Sequence, residues 1–577
     1  MKYTNIPSAQ TVVQLCKQFS LKHIVISPGS RNAPLTLGFT HDPYFKCFSI
    51  VDERAAAFFA LGIAQQTRLP VVLVCTSGSA LLNYFPAVAE AFYSHIPLVV
   101  ISADRPEYLV DIGDGQTIKQ QNVYGSHVGY STSLELDNRQ NVYLNKVEKE
   151  YRQNEKKRSQ EEVQSSNEEK INTAIETALV QSAPVHINIP FSEPLYDLVE
   201  SPTIVASKRL QLEKESHNFS EIRDCIEKWN STERHMILCG VMYPNEIEKE
   251  YLTALSNDAS VVFFTETTSN IVTEGIFPSI DKMIAPLDKE EFQELQPDIL
   301  ITMGGMLVSK KIKAFLRNYP PKEHWHIGEL PANDTFFSLT KVLKMSPNQF
   351  FSRFLWKINQ AGGDYKNKWA LVKDLRDVKH NEYLEKIPFS DLKAFGKILD
   401  SVPDNSILQL GNSASIRYTQ LFSLNKNLEI YCNRGTSGID GCTSTAIGCA
   451  TVRDKQTILI SGDLSFFYDS NGLWNNYIPT SFRIIVINNR GGGIFRILPG
   501  SKENENFESY FETIHNLDAS QLSEMFNFQY RKADDMDSLQ SALADFYDKS
   551  DKPKLLEIFT PRKKNDKILL DYFQHIK

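Results

Sequence analysis

The sequence predicts an α/β protein made of three doubly wound domains with mainly parallel sheets. Three observations carry that prediction. Short β-branched runs alternate with helical patterns in the first and last thirds of the chain. The runs are almost continuously apolar, as strands covered by helices on both faces must be. The 577 residues are about twice what a single hydrophobic core sustains. Apolar residues make up 42% and charged residues 23%, with 27 Gly and 26 Pro, which is ordinary globular usage and excludes collagen-like or low-complexity character.

In the first third, strands are predicted at His23–Ser27, Phe48–Val51, Val71–Thr76, Leu98–Ser102 and Val185–Ile189. The longest apolar stretch, Ala55 to Ala64, is about half the ~20 residues needed to cross a bilayer and reads as a buried core helix. The polar tract Glu148–Lys170 reads as a solvated helix or a mobile insertion. After Pro194 the chain is irregular to about Ser220. A second set of strands follows at Met236–Cys239, Val261–Thr265, Ile299–Met303 and His324–Ile327. Asp364–Glu385 is rich in charge and reads as a helical linker. The last third repeats the rhythm at Ile407–Leu410, Glu429–Cys432, Thr457–Ile460, Ile484–Ile487 and Leu555–Phe559. Two similar units thus flank a distinct middle one.

The net charge of −8 and the lack of a sustained basic stripe argue against a nucleic-acid partner. A few placed arginines can still bind small anions. The eight cysteines are scattered with no C-x-x-C pair, so zinc ribbons and dithiol redox motifs are unsupported. Buried free thiols, such as Cys75 in its apolar run, point to a reducing compartment. The N-terminus has no uninterrupted apolar segment of the secretory type. A cytoplasmic protein with no membrane partner is expected.

Open α/β sheets bind ligands beyond the carboxyl ends of their strands, so those segments hold the chemistry. The first strand is followed by Pro28-Gly29-Ser30-Arg31-Asn32, a polar turn carrying a guanidinium. The second is followed by Asp52-Glu53-Arg54, where Glu53 taken alone reads as a first-turn glutamate suited to the helix dipole. Ala103-Asp104-Arg105-Pro106 follows the fourth, with Gly115-Gln116 downstream. In the last third, Asn433-Arg434-Gly435 follows a strand and leads to Ile439. Arginines recur at strand ends, and their planar forks suit carboxylates or phosphates. A multiply charged acidic substrate is the inference.

The most specific signal is Gly462-Asp463-Leu464 paired with Asn488-Asn489-Arg490-Gly491, with 26 residues from Asp463 to Asn489. Each segment follows a predicted strand. Neighbouring parallel strands bring a carboxylate, an amide oxygen and a backbone carbonyl together. Such hard oxygen ligands suit octahedral Mg²⁺ shared with phosphate. Alone, Asn489–Gly493 would read as a simple Gly-rich turn.

This pairing resembles the thiamine diphosphate (ThDP) signature of the pyruvate-decarboxylase-like superfamily. Further motifs narrow the resemblance: SPGSRNAPL (27–35), DERAAAFFALGIA (52–64), SADRP (102–106), NRGTSGIDG (433–441) and GDLSFFYD (462–469). Their occurrence in order resembles the 2-succinyl-5-enolpyruvyl-6-hydroxy-3-cyclohexene-1-carboxylate (SEPHCHC) synthase family of menaquinone biosynthesis. The likeness is dense in both outer thirds and weak in the middle. It implies a ThDP-binding fold with a pyrimidine-binding domain at 1–197, a central domain at 198–365 and a diphosphate-binding domain at 366–577. It also implies a homodimer or dimer of dimers with active sites between chains.

The implied transferase reaction decarboxylates 2-oxoglutarate and adds the succinyl carbanion equivalent to isochorismate. By the same resemblance, Glu53 is catalytic and hydrogen-bonds the cofactor's aminopyrimidine ring. Asp463, Asn489 and the Gly491 carbonyl hold Mg²⁺ or Mn²⁺. Ile439 sits beneath the cofactor; Ile494 and Phe495 pack around it or belong simply to the core; Asn412 and Ser413 complete its site. The substrate carboxylates fall to Ser30, Arg31, Arg105, Gln116, Arg417 and Arg434. Lys310 and Lys311 either reach the second substrate or form a solvated helix start. Another ThDP-dependent 2-oxoacid decarboxylase or acetolactate-type synthase is the nearest alternative. A dinucleotide oxidoreductase would need G-x-G-x-x-G, which Met303-Gly304-Gly305-Met306 does not match.

Overall fold

The structure, a computed structural model, describes residues 2–138, 158–210, 220–359, 362–424, 427–498, 500 and 504–577. The first sheet contains β1 (His23–Ile26), β2 (Lys46–Ser49), β3 (Val71–Cys75), β4 (Leu98–Asp104), β5 (Tyr130–Ser133) and β6 (Val185–Pro190). All six strands are parallel, in the order β2-β1-β3-β4-β6-β5. Strand β3 is buried along its whole length, the mark of a central strand covered on both faces.

The second sheet holds β7 (His235–Cys239), β8 (Val261–Thr265), β9 (Ile299–Met303), β10 (Glu323–Ile327) and β11 (Lys341–Leu343), parallel in the order β8-β7-β9-β10-β11. The third holds β12 (Ile407–Leu410), β13 (Glu429–Cys432), β14 (Thr457–Gly462), β15 (Arg483–Asn488), β16 (Gln529–Ala533) and β17 (Lys554–Phe559). Its parallel order is β13-β12-β14-β15-β17-β16, the same succession as in the first sheet.

All the strands expected from the apolar runs are present, with ends shifted by a residue or two. Three further strands of these sheets, β5, β11 and β16, have no such run, and each lies at the edge of its sheet; a separate antiparallel pair, Tyr3–Thr4 with Leu198–Val199, was also not expected. An edge strand is partnered on one side and needs no continuous apolar run. The strand expected at Phe48–Val51 is β2, displaced to Lys46–Ser49. Just beyond it Ile50 N still donates to Ile26 O at 3.1 Å, and Asp52 caps the next helix, its carboxylate accepting from Ala55 N. Of the Glu148–Lys170 tract, residues 148–157 lie outside the described residues. The remainder opens the helix Gln160–Gln181, capped reciprocally by Ser159 and Glu162. The predicted linker is the helix Tyr365–Lys386. Its Tyr365 and Trp369 enter the core of the second sheet, while Arg376 and His380 bond to Ile576 O and Tyr572.

The chain gathers into two compact units. One comprises Met1–Lys214, Thr443–Asp454 and Asp469–Pro479; the other comprises Glu215–Cys442, Lys455–Tyr468 and Thr480–Lys577. The helix Cys442–Val452 joins the first unit for a steric reason. A Cβ on Gly62 would lie 2.0 Å from Thr445 O, and one on Gly448 would lie 2.0 Å from Phe59 O. Only glycines let the helix Glu53–Thr67 and its neighbour touch backbone to backbone. All eight cysteines are free, and all but the half-buried Cys47 are buried. Among the described residues no helix is long and apolar enough to cross a membrane.

Candidate functional site

In the first unit the strand order reverses between β1 and β3, the position at which an open α/β sheet leaves a crevice. Ser30 is exposed in the turn after β1. Arg31 is anchored by Phe191 O at 3.0 Å and Glu193 at 3.3 Å, and its buried Nε has no hydrogen-bond partner among the described residues. Arg105, one residue past β4, is gripped from three directions. Its guanidinium donates to Asp114 at 3.1 Å, Ser77 Oγ at 2.7 Å and Gln116 O at 2.9 Å. Gln116 therefore contributes its carbonyl to holding Arg105, while the residue itself is exposed.

Glu53 opens the helix Glu53–Thr67, whose next turns are a solid run of Ala, Phe, Leu and Ile side chains. Burial against them raises its carboxyl above the ordinary range, reinforced by the adjacent Asp52 and opposed by its backbone hydrogen bond and Asn83. Desolvation thus favours the protonated acid, the form that can share a proton with a ring nitrogen. Asp52 is held in turn by Asn471, at 2.6 Å.

In the second unit the corresponding reversal lies between β12 and β14. Asp463, at the end of β14, is 3% exposed, and its carboxylate accepts from Leu464 N at 2.7 Å and Gly491 N at 3.0 Å. Asn489, just past β15, donates through Nδ2 to Asp391 at 3.0 Å. That bond turns its Oδ1 away, and the oxygen is buried without a hydrogen-bond partner among the described residues. Gly491 has φ +146°, and a Cβ there would strike Glu512 O at 2.6 Å, so a side chain is excluded. A buried carboxylate beside an orphaned amide oxygen and a glycine backbone is a hard-oxygen set that fits Mg²⁺ or Mn²⁺. His515 Nε2 stands 3.3 Å from Asp463. Its Nδ1 accepts from Leu517 N at 3.1 Å, which fixes the orientation of the ring.

Asn412 is fully engaged by the protein. Its Nδ2 donates to Asn433 O at 2.8 Å and Gly438 O at 2.7 Å, while its Oδ1 accepts from Arg434 at 2.8 Å. It knits the loop before Ile439 to the end of β12. Ser413 has φ +67° and precedes the short helix Ala414–Thr419. Arg417 reaches back to Ser413 O at 2.7 Å, so the pair shares a face as its spacing implies. Burial and the neighbouring Arg434 lower the pull of Arg417 on its own proton, with Asp281 opposing. Two guanidinium groups close enough to feel one another suit an anion. Ile439, Ile494 and Phe495 are half-buried, and Ile439 O accepts from Ser465 Oγ at 3.0 Å.

Lys310 and Lys311 are exposed at the start of the helix Lys310–Asn318, and Lys311 Nζ lies 5.1 Å from the ring centroid of Phe573. Lys313, on the same helix, feels both Glu266 and Arg434. Sequence reasoning missed Lys313, Glu266, Asp391 and His515. Glu266 directly follows β8, so applying the strand-end rule to the middle sheet would have found it. Asp391 looks like an acidic residue in a helix first turn, and His515 carries no local signal.

Two family models match. Residues 8–124 match the thiamine pyrophosphate enzyme N-terminal TPP binding domain, and residues 411–558 match the C-terminal TPP binding domain. Curated relatives named 2-succinyl-5-enolpyruvyl-6-hydroxy-3-cyclohexene-1-carboxylate synthase align along the whole chain. The protein from Christiangramia forsetii is 53% identical and that from Flavobacterium psychrophilum 52%, each with 100% of both chains covered. The Porphyromonas gingivalis protein is 36% identical over 100% of this chain and 98% of its own. The crystal structure of benzoylformate decarboxylase from Polynucleobacter necessarius superposes with a TM-score of 0.69 at 13% identity, covering 96% of this chain and 98% of that one. That likeness establishes the shared fold.

Proposed function

Because the chain belongs to the SEPHCHC synthase family of ThDP-dependent enzymes of menaquinone biosynthesis, we propose the following activity for it. It decarboxylates 2-oxoglutarate and adds the succinyl carbanion equivalent to isochorismate by conjugate addition, giving SEPHCHC and CO₂. The observation that supports the substrate assignment is a set of guanidinium groups: Arg105 and Arg434 just past strand ends, Arg31 in the turn after β1, and Arg417 in the short helix after β12. Four such groups suit substrates that carry several carboxylates and are superfluous for a small neutral acceptor.

Bound ThDP supplies the carbanion-stabilising thiazolium. Glu53 holds a proton toward the aminopyrimidine ring. Asp463, Asn489 and the Gly491 carbonyl would hold Mg²⁺ or Mn²⁺, which would neutralise phosphate charge. Asn412 and Ser413 would shape the cofactor's site, and Ile439 would pack against the cofactor. Ile494 and Phe495 exclude water from the reacting carbon. Ser30, Arg31, Arg105, Gln116, Arg417 and Arg434, with Lys310 and Lys311, orient the substrates.

The same reading divides the chain at 1–197, 198–365 and 366–577 and makes it a cytoplasmic homodimer or dimer of dimers, with active sites between chains. Free cysteines suit such a compartment. Incubation with 2-oxoglutarate and isochorismate, with and without ThDP and Mg²⁺, tests the activity. SEPHCHC should form only in the complete mixture. CO₂ release with no isochorismate-dependent product would instead favour a simple 2-oxoacid decarboxylase.

A further inference from the structure

The middle sheet carries the helix that presents Lys310 and Lys311, and one of its turns bridges two groups of cationic residues. Glu266 and the turn Thr267–Ser269 follow β8 directly, and Asn270 closes the turn in the left-handed region, at φ +52°. Glu266 is 4% exposed. Its carboxylate accepts from Val308 N at 2.6 Å and Ser309 N at 2.7 Å, the residues immediately before Lys310. Ser309 caps the lysine helix by accepting from Ile312 N at 3.1 Å, and its hydroxyl donates to Asp281. Two carboxylates therefore secure the first turn of the helix that presents Lys310 and Lys311.

The other end of the turn is tied to the third sheet. Asn270 Nδ2 donates to Ile430 O at 2.8 Å, and Asn270 Oδ1 accepts from Ile430 N at 2.7 Å. Ile430 lies on β13, an edge strand, so the Asn270 amide stands in for a missing strand partner. Four residues further on, β13 delivers Arg434. The turn is anchored to its own sheet by Ser269 Oγ donating to Cys239 O at 2.8 Å and by Asn270 donating to Met242 O at 2.8 Å. Opposite charges line the same path: Glu266 feels Arg434, and Asp281 feels Lys311 and Arg417.

We propose that Glu266 and Asn270 are positioning residues that set the Lys310–Lys311 helix start relative to Arg434, so that together these cations receive one multiply charged carboxylate substrate. The inference rests on the assignment of those lysines and arginines to substrate made above. A glutamine at 266 keeps the size but has one acceptor oxygen for two backbone N–H groups, which loosens the helix start. An alanine at 270 releases β13.

The test measures KM for 2-oxoglutarate and for isochorismate, kcat, ThDP affinity by calorimetry and Tm on the holoenzyme. The variants are Glu266→Gln, Asn270→Ala, Lys310→Ala/Lys311→Ala, and the lysine pair combined with each single change. Each single variant should raise one substrate's KM about tenfold while leaving ThDP affinity within about twofold. On the lysine-free background each should add less than about twofold, because contacts that act through one another are not additive. Additive effects, or an unchanged KM where the lysine variant raises it, would overturn the inference while leaving the lysine assignment intact. If the lysine variant itself moves neither KM, the assignment falls and the inference with it, whereas product formation by the unaltered enzyme still upholds the activity. Should Glu266→Gln fail to fold, Asn270→Ala breaks the other arm and decides the matter alone.

Discussion

The first and third sheets run through the same strand order, and equivalent strand ends in the two carry different chemical groups. After the first strand stand Ser30 and Arg31 in one sheet, Asn412 and Ser413 in the other. After the second come Glu53 and Arg434. After the third come Ser77, which supports Arg105, and Asp463, a buried carboxylate. After the fourth come Arg105 and Asn489. The shared topology fixes where side chains emerge, at the crevice edge of a parallel sheet. It leaves open whether a given position acts as proton donor, metal ligand or carboxylate clamp.

The sharpest way to separate the two sheets is to remove one chemical group from each. Glu53→Gln should keep ThDP bound and lose about 10²–10⁴ in kcat, the usual value of a general acid–base group. Stopped-flow turnover alongside calorimetric ThDP binding checks this, and near-normal turnover would remove Glu53 from the chemistry. Asp463→Ala should act the other way, lowering ThDP and Mg²⁺ affinity by more than the ~10–100-fold typical of residues that merely support a metal ligand. Excess cofactor should restore part of its activity. Unchanged affinity would erase the contrast between the sheets.

Smaller effects are expected from exchanging the fork of an arginine for a point charge. Losing a partner of a buried, hydrogen-bonded charge costs about 2–5 kcal/mol in binding, and lysine should forfeit only part of it. Arg105→Lys and Arg417→Lys should therefore raise a substrate KM roughly tenfold with little change in Tm. A large fall in Tm with unchanged catalytic efficiency would make both arginines structural. The smallest effect belongs to the helix crossing. Gly448→Ala puts a methyl against Phe59 O and should cost about 1–3 kcal/mol in stability, read by denaturant unfolding. An unchanged midpoint would show that the two helices can separate without loss.

Central strands were legible because burial on both faces demands an unbroken apolar run, as in Val71–Cys75 and Ile299–Met303. Edge strands were not: Tyr130–Ser133 and Gln529–Ala533 are polar or half-exposed and look like loops until a neighbour pairs with them. The site divides in the same way. Glu53, Asp463, Asn489, Arg105 and Arg434 could be proposed from sequence because each stands within two residues of a strand end or opens the next helix, and Arg417 because it lies four residues from Ser413. Asp391 and His515 could not, since their roles depend on Asn489 and Asp463, 98 residues away in the first case.

The amino-acid sequence by itself determined the alternation of buried strands and helices, the duplicated outer units, and the acidic, amide and guanidinium groups available at strand ends. These follow from local apolar patterning and from short-range turn chemistry, which the order of residues specifies directly. Only the tertiary structure decided how those groups are used. It spends all of Asn412's side-chain hydrogen bonds on neighbouring loops, turns Asn489 so that its oxygen is free, and sets Lys311 over Phe573. A buried polar atom must find a partner or remain orphaned at high cost. Which partner it finds depends on segments that meet in space after the chain has folded.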